Sequence, residues 1–118
     1  MGDVHRVATV EECRDALRTL AERLDRHAEE VREKINLDRT IVCRVTDLGV
    51  AFHGRLTAGR LVGLADGDDP DAKISLSTTS DDLVALVEGR LDFVRALATQ
   101  RVSISANPLD LLRLRKLL

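Results

Sequence analysis

The chain has 118 residues, of which 44% are hydrophobic and 32% charged, with a formal net charge of −2. This length predicts one domain over residues 1–118 with its own hydrophobic core, and this composition excludes a disordered chain. The chain has no Trp or Tyr, and Phe52 and Phe93 are its two aromatic residues. Because single-stranded nucleic acids are bound by aromatic stacking and a basic surface, we predict no nucleic-acid partner.

The two cysteines, Cys13 and Cys43, fall on different predicted elements and have no metal-ligand spacing. Two cysteines do not make a disulfide framework, so we interpret them as small buried residues of a protein in a reducing compartment. No apolar run approaches the roughly 18 residues of a membrane span, and the first residues lack a signal-peptide pattern. We therefore predict a cytoplasmic protein with no metal and no cofactor.

A long amphipathic helix is predicted first. Thr9 and Glu12 have the spacing of a capping box, and apolar residues at intervals of three and four continue to about Glu33. The next part of the chain changes to a two-residue period, which indicates strands at 40–46 and 50–56. In the second of these strands, Phe52 is predicted to face the core and His53 the opposite side.

Two more strands follow at 60–65 and 73–78, and Ser80 is predicted to cap the helix that Gly89 ends. A short helix, a strand and a leucine-rich terminal helix over 109–118 complete the order α-β-β-β-β-α-α-β-α. Strands joined by hairpins and followed by helices predict an α+β fold, in which helices cover a five-stranded, mostly antiparallel sheet.

The loop between the third and fourth strands is rich in aspartate, which suggests a calcium site. Counted from Asp66, however, the sixth and twelfth positions hold Asp71 and Ser77, where an EF-hand loop has Gly and Glu. A solvated turn is therefore the favoured interpretation. His53, beside Arg55, is the candidate for acid–base chemistry, but no serine or cysteine is placed near it by the sequence.

The terminal helix carries more leucine than one core-facing stripe requires, together with Arg113, Arg115 and Lys116. Its extra apolar surface is suited to a ligand, a partner protein or an anionic membrane surface. The heptad-like first helix leaves a homodimer open as well.

The ordered motif in the second half of the chain resembles the sterol carrier protein 2 family of lipid-binding domains. Its parts are the alternating strand 72–78, the acidic helix start Asp81-Asp82, the run Leu-Val-Ala-Leu-Val-Glu-Gly ending at Gly89, Ala96 in the next helix, and the leucine-rich end. The resemblance covers residues 38 to 118. The chain departs from it around the last strand, with Thr99-Gln100-Arg101 before the strand and Ala106-Asn107 after it, where members of the family usually have a glycine on each side.

The resemblance implies a non-catalytic protein that binds a sterol, fatty acid or acyl chain in an apolar tunnel between sheet and helices. A membrane surface would then be a transient partner. Strand alternation and helix spacing give the residues expected to bind the ligand: Phe52, Ile74, Leu76, Leu83, Leu86, Val87, Phe93, Leu97, Ile104, Leu109 and Leu112.

Two other functions remain open from the residues themselves. The first is a protein interaction or dimerisation module that uses the first and last helices. The second is a small enzyme acting on a hydrophobic substrate through His53 and a carboxylate.

Overall fold

The computed structural model describes residues 7–117. Leu118, the last residue of the predicted terminal helix, lies outside this range. The elements in chain order are α1 (Val10–Arg26), α2 (Ala28–Lys34), β1 (Asp38–Val45), β2 (Val50–Thr57), β3 (Arg60–Asp66), β4 (Ile74–Thr78), α3 (Ser80–Glu88), α4 (Phe93–Ala98), β5 (Val102–Ser105), α5 (Pro108–Leu114) and a 3-10 turn (Arg115–Leu117).

The five strands form one sheet in the order β3-β2-β1-β4-β5. The β1–β2, β2–β3 and β4–β5 pairs are antiparallel, whereas β1 and β4 are parallel. The α+β fold with a mostly antiparallel, five-stranded sheet is therefore confirmed. The parallel pair arises because β4 returns to the free side of β1 instead of extending the β2–β3 meander.

The two faces of the sheet differ in polarity, as the two-residue period predicts. One row of paired residues, Phe52, Cys43, Leu76 and Ile104, crosses β2, β1, β4 and β5 on the apolar face. Helices α1 and α3 pack on this face, where Cys13, Leu17 and Leu83 join it in the main core. A second, smaller core is formed by Ile35, Leu37 and Leu56.

The opposite face of the sheet is mostly polar, with the buried Val42 at its centre. His53, Arg55, Arg44, Ser75 and Ser103 alternate with the apolar row along their strands. The predicted alternation of Phe52 and His53 is thus confirmed, and the helices lie on the apolar side.

The predicted first helix is in fact two helices, so the expectation of one helix to about Glu33 is wrong. The backbone leaves the helical region at His27 (φ −117°, ψ 22°), whose N–H donates to the Arg23 and Leu24 carbonyls. A new helix starts at Ala28, which is buried against the β2–β3 hairpin. The break redirects the chain so that α2 follows the hairpin.

The predicted capping role of Ser80 is also wrong, because Thr79 is the N-cap of α3 and accepts from the Asp82 N–H. The Ser80 hydroxyl is used elsewhere: it donates to the Asp47 carboxylate at 2.7 Å and accepts from the Ala8 N–H at 3.0 Å. Ser80 is fully buried. Since a buried hydroxyl needs partners, these two bonds fix its role as a link between α3, β1 and the start of α1.

Gly89 ends α3 in the left-handed conformation (φ 81°), as predicted. Gln100 also has a positive φ of 62° and follows the end of α4. The left-handed conformation is costly for residues with a Cβ, so the backbone at Gln100 carries a cost that a glycine would avoid.

Gly59 lies in the two-residue turn between β2 and β3 and makes the closest approach of the hairpin to α2. A Cβ at Gly59 would lie 2.3 Å from the Ala28 carbonyl oxygen, whereas a Cβ at Gly49 would meet nothing within 4 Å. Both glycines have a φ between 60° and 80°, at 77° and 63°. A substitution at Gly49 therefore measures backbone strain alone, whereas the same substitution at Gly59 adds a steric clash.

We expect Gly49→Ala to lower the free energy of unfolding by about 1–2 kcal/mol, the cost of a left-handed alanine. Gly59→Ala adds overpacking against the backbone of α2 and should cost roughly 3 kcal/mol or more. Urea denaturation of both variants measures the difference. Equal losses of free energy of unfolding in the two variants would show that the hairpin is not closely packed against α2.

Candidate functional site

The candidate site is an apolar cleft of about 570 Å³ at the β5 edge of the sheet, between α4 and α5. Seven of its eight lining residues are apolar, and Arg115 is the one charged residue. The lining residues are Phe93, Leu97, Ile104, Pro108, Leu111, Leu112, Leu114 and Arg115.

Local sequence patterns place the side chains on three walls. On α4, Phe93 and Leu97 are four residues apart and so share one side of the helix, while Ala96 is fully buried and anchors the other side. On β5, Ile104 lies between the exposed Ser103 and Ser105 and points to the apolar face. Each wall presents hydrocarbon to the cleft.

The third wall, α5, is oriented by a buried ion pair. The Asp110 carboxylate has 4% of its side-chain surface exposed and accepts from Arg39 Nε at 2.9 Å and Arg39 Nη2 at 3.4 Å. Arg113, one turn later, lies 3.7 Å from the same carboxylate. With Asp110 directed inwards to β1, Leu111 and Leu114 are half-buried along the cleft.

The start of α5 is fixed by Asn107, whose Oδ1 accepts from the Leu109 N–H at 2.8 Å. Pro108 occupies the first turn, where no N–H is required. A capped first turn and the ion pair to β1 together hold a helix of seven residues that is too short to be stable alone.

Four of the residues predicted to bind ligand meet in this cleft: Phe93, Leu97, Ile104 and Leu112. The other seven lie elsewhere in the structure. Phe52, Leu83 and Val87 belong to the main core and Leu76 packs against it; Ile74 is buried, Leu86 is half-buried, and Leu109 is 62% exposed.

Sequence reasoning missed Pro108, Leu111, Leu114 and Arg115 as lining residues. A signal was present for the two leucines, since they are three residues apart and so share one side of the helix. Leucines on every side of α5 obscured it.

Other hollows of the molecule are larger than the cleft. One of about 610 Å³ is lined by Val45, Val50 and Phe52 at the main core together with the charged Arg44, Asp66 and Asp68, which are paired with one another or with Arg14. A hollow of about 890 Å³ is lined by Asp47, Asp82 and Arg101 among others. Asp47 accepts from Ser80, and Asp82 pairs with Arg101 Nη2 at 2.5 Å. These carboxylates hold the fold together.

The histidine and the aspartate loop are placed away from the cleft. His53 Nδ1 lies 2.9 Å from the Gly67 carbonyl oxygen, a contact that tethers the loop to the sheet. Asp66 pairs with Arg14 at 2.6 Å, which lowers the pKa of Asp66, and Asp68 pairs with Arg44 at 2.9 Å. Within residues 7–117, no three metal-ligating side chains come together.

The two thiols are free and buried. Burial, with a contribution from nearby carboxylates, raises the pKa of Cys13 to about 11. Burial and the neighbouring Cys13 raise the pKa of Cys43 to about 12. Both thiols are therefore protonated at neutral pH, and neither has the lowered pKa of a catalytic nucleophile.

The family model described as the SCP-2 sterol transfer family matches residues 17–118. The chain belongs to the SCP-2 sterol transfer family. A search of curated protein sequences finds no match. In the described part of the chain, no helix is long and apolar enough to cross a membrane.

Solved structures share the fold of this family member. The sterol carrier protein domain 2 of Helicoverpa armigera matches with a TM-score of 0.63 and 17% identity, over 96% of this chain and 91% of that one. Palmitated SCP2L2 of Aedes aegypti matches with a TM-score of 0.58 and 15% identity, over 85% and 90%.

The inverting sec-alkylsulfatase Pisa1 of Pseudomonas sp. matches with a TM-score of 0.59 and 24% identity, over 78% of this chain. The chain corresponds to 14% of the length of that enzyme. The fold thus occurs both in separate sterol carrier domains and within a larger protein.

The ion pair between β1 and α5 gives a direct test of how the cleft wall is held. Arg39→Met leaves the Asp110 carboxylate buried without its main partner, so we expect a loss of about 2–3 kcal/mol in the free energy of unfolding. Arg39→Met/Asp110→Leu should recover much of that loss, because apolar pairs replace buried ion pairs well.

Arg55→Met is the matched control, because Arg55 pairs with Asp38 on the exposed polar face. Its effect should lie within the error of chemical denaturation, as for most exposed ion pairs. Equal effects of Arg39→Met and Arg55→Met would contradict the anchoring role of Asp110.

Proposed function

We propose that the protein binds, and transfers between membranes, a single hydrophobic ligand in the cleft between α4, β5 and α5, without catalysing a reaction. The ligand is a fatty acid, another acyl chain or a sterol. The observation that carries the proposal is a cleft of about 570 Å³ that is lined by seven apolar residues and one cation. Membership of the SCP-2 family supports it.

Transfer of hydrocarbon out of water provides the driving force. Each buried methylene contributes about 0.8 kcal/mol, so ten methylenes contribute about 8 kcal/mol before the cost of immobilising the ligand. The cleft volume falls within the range of about 300–1,000 Å³ that is typical of small-molecule sites. No covalent bond to the protein is required.

Arg115 would orient an amphiphilic ligand in the cleft. Its guanidinium lines the same cleft as Leu111, Leu112 and Leu114, but it is exposed, whereas Leu111 and Leu114 are half-buried. A carboxylate at Arg115 would remain hydrated, while the hydrocarbon tail would lie along α4 and Ile104. An amphiphile with one anionic group therefore fits better than a neutral sterol.

The wider set of predicted ligand-binding residues belongs to the same proposal. Leu76 is paired with Ile104 in the sheet, so it is the next apolar side chain inward from the cleft. An enclosed tunnel, as the family resemblance implies, would extend from Ile104 past Leu76 towards α3. The longer the ligand, the more of this inner surface it would contact.

The alkylsulfatase likeness supports a second candidate. Because the fold occurs within an enzyme named for alkyl sulfates, the cleft is also suited to an alkyl chain with a sulfate head. In that case the protein would present the amphiphile to a separate catalytic unit. A catalytic role of His53 has no support in its surroundings, since its ring contacts the Gly67 carbonyl.

The affinity for straight-chain fatty acids should rise with chain length. Each added methylene should strengthen binding about fourfold, from its transfer free energy, until the chain fills the cleft. Displacement of a fluorescent fatty acid by acids of increasing length measures this slope. A flat dependence on chain length would contradict an apolar site.

Two substitutions locate the site in that assay. Leu97→Trp and Leu112→Trp each add an indole to the cleft from a different wall, and they should weaken binding of a long-chain acid about tenfold or more. Val62→Trp, at an exposed position on β3, is the control and should bind normally. Unchanged affinity in both cleft variants would place the ligand elsewhere.

A further inference from the structure

Helix α5 has an outward face as well as the side that lines the cleft. Leu109, Leu112, Arg113 and Lys116 follow one another at intervals of three, one and three residues, so they form one stripe along α5 and the 3-10 turn. Leu109 is 62% and Leu112 58% exposed. We call this stripe the α5 outer face.

This face belongs to a region of opposite charge to the rest of the chain. Residues 89–116 hold six basic and two acidic residues, a net charge of +4, whereas the remaining sequence holds 12 basic and 18 acidic residues, a net charge of −6. Of the two acidic residues, Asp110 is buried with Arg39 and Asp92 caps α4. Arg90 and Arg101 pair with Glu88 and Asp82, which precede residue 89, so the accessible positive charge here is that of Arg95, Arg113, Arg115 and Lys116.

Several of these cations lack a carboxylate partner. Within residues 7–117, no carboxylate lies at salt-bridge distance from Arg95, Arg115 or Lys116. By contrast, most exposed arginines of the sheet and of α1 are paired, for example Arg14 with Asp66 and Arg60 with Asp25. Arg113 lies 3.7 Å from Asp110, but that carboxylate is already bonded to Arg39, and the Arg113 side chain remains 48% exposed. Exposed leucines next to such accessible cations are typical of a surface that contacts anionic headgroups and the outer part of the acyl chains.

We propose that the α5 outer face docks onto an anionic lipid bilayer, with Leu109 and Leu112 inserted among the headgroups and Arg113 and Lys116 beside lipid phosphates. This docking would serve the proposed function, lipid binding in the cleft, and the inference rests on that function. Leu112 belongs to both the outer face and the cleft, and Arg115 follows at the cleft margin. A docked bilayer would therefore lie at the entrance through which a lipid passes.

A second copy of the chain is a poorer occupant of this face. A twofold dimer through α5 would bring Arg113 and Lys116 of each copy towards their equivalents, because the same patch is used on both sides. Like charges at such an interface cost free energy. An anionic bilayer offers the opposite charge.

The test is co-sedimentation of the ligand-free protein with vesicles of phosphatidylcholine, with or without about one-third phosphatidylserine. We expect binding to the anionic vesicles, loss of most binding in about 0.5 M salt, and little binding to neutral vesicles. Arg113→Gln/Lys116→Gln should weaken binding on the order of 25-fold, at about one kilocalorie per mole for each cation. Leu109→Ser should weaken it further.

Arg26→Gln/Arg32→Gln is the matched control, because it removes the same charge from exposed positions on α1 and α2. If both double variants weaken binding equally, or if neutral and anionic vesicles bind equally, the proposal is wrong. It is also wrong if ultracentrifugation shows a dimer that Arg113→Gln/Lys116→Gln disrupts.

The same variants distinguish failure of docking from failure of the proposed function. Arg113 and Lys116 do not line the cleft, and Asp110 keeps its bond of 2.9 Å to Arg39 when Arg113 is replaced. Arg113→Gln/Lys116→Gln should therefore bind a fatty acid in vesicle-free solution with unchanged affinity. If the unaltered protein binds the fatty acid but does not bind anionic vesicles, the docking surface is wrong and the proposed lipid-binding function stands.

Discussion

The site depends on one buried carboxylate in the middle of a leucine-rich helix. Asp110 pairs with Arg39 across 71 residues of sequence, and this pair sets the rotation of α5 about its axis. Turned by one residue, α5 would present other leucines to the cleft and bury Arg113. The ion pair thus determines at once which leucines line the cleft and which remain exposed.

The sheet supplies the constraint on the other side. Its apolar face is covered by α1 and α3 at the centre, whereas β5 is an edge strand whose Ile104 shares the cleft with residues of α4 and α5. Because α4 has six residues and α5 seven, they cover this edge less completely than α1 covers the centre. The apolar row of the sheet extends further than these two short helices cover, and the cleft lies where part of it is left open.

Much of the fold could be predicted from the sequence, because its signals are local. Alternation of Phe52 with His53 fixed the faces of β2, and Gly89 ended α3 as expected. The break at His27 could not be predicted, since apolar spacing continues across it and the helix that follows packs against a distant part of the chain, the hairpin at Gly59. The role of Ser80 likewise depends on Asp47, a distant residue in the turn after β1.

The candidate site was predictable only in part, for the same reason. Phe93, Leu97 and Ile104 follow from the periods of α4 and β5, and they line the cleft. For α5, leucines surround the helix, so periodicity alone could not choose between Leu109, which is exposed, and Leu111, which lines the cleft. That choice is made by a long-range ion pair that no local pattern reveals.

The central claim is that the cleft holds a lipid, and native mass spectrometry of the freshly purified protein tests it most directly. The account predicts a complex heavier than the chain by the mass of one lipid, which organic extraction releases for identification. The chain mass alone, together with no binding of either a fluorescent fatty acid or a fluorescent sterol, would contradict it.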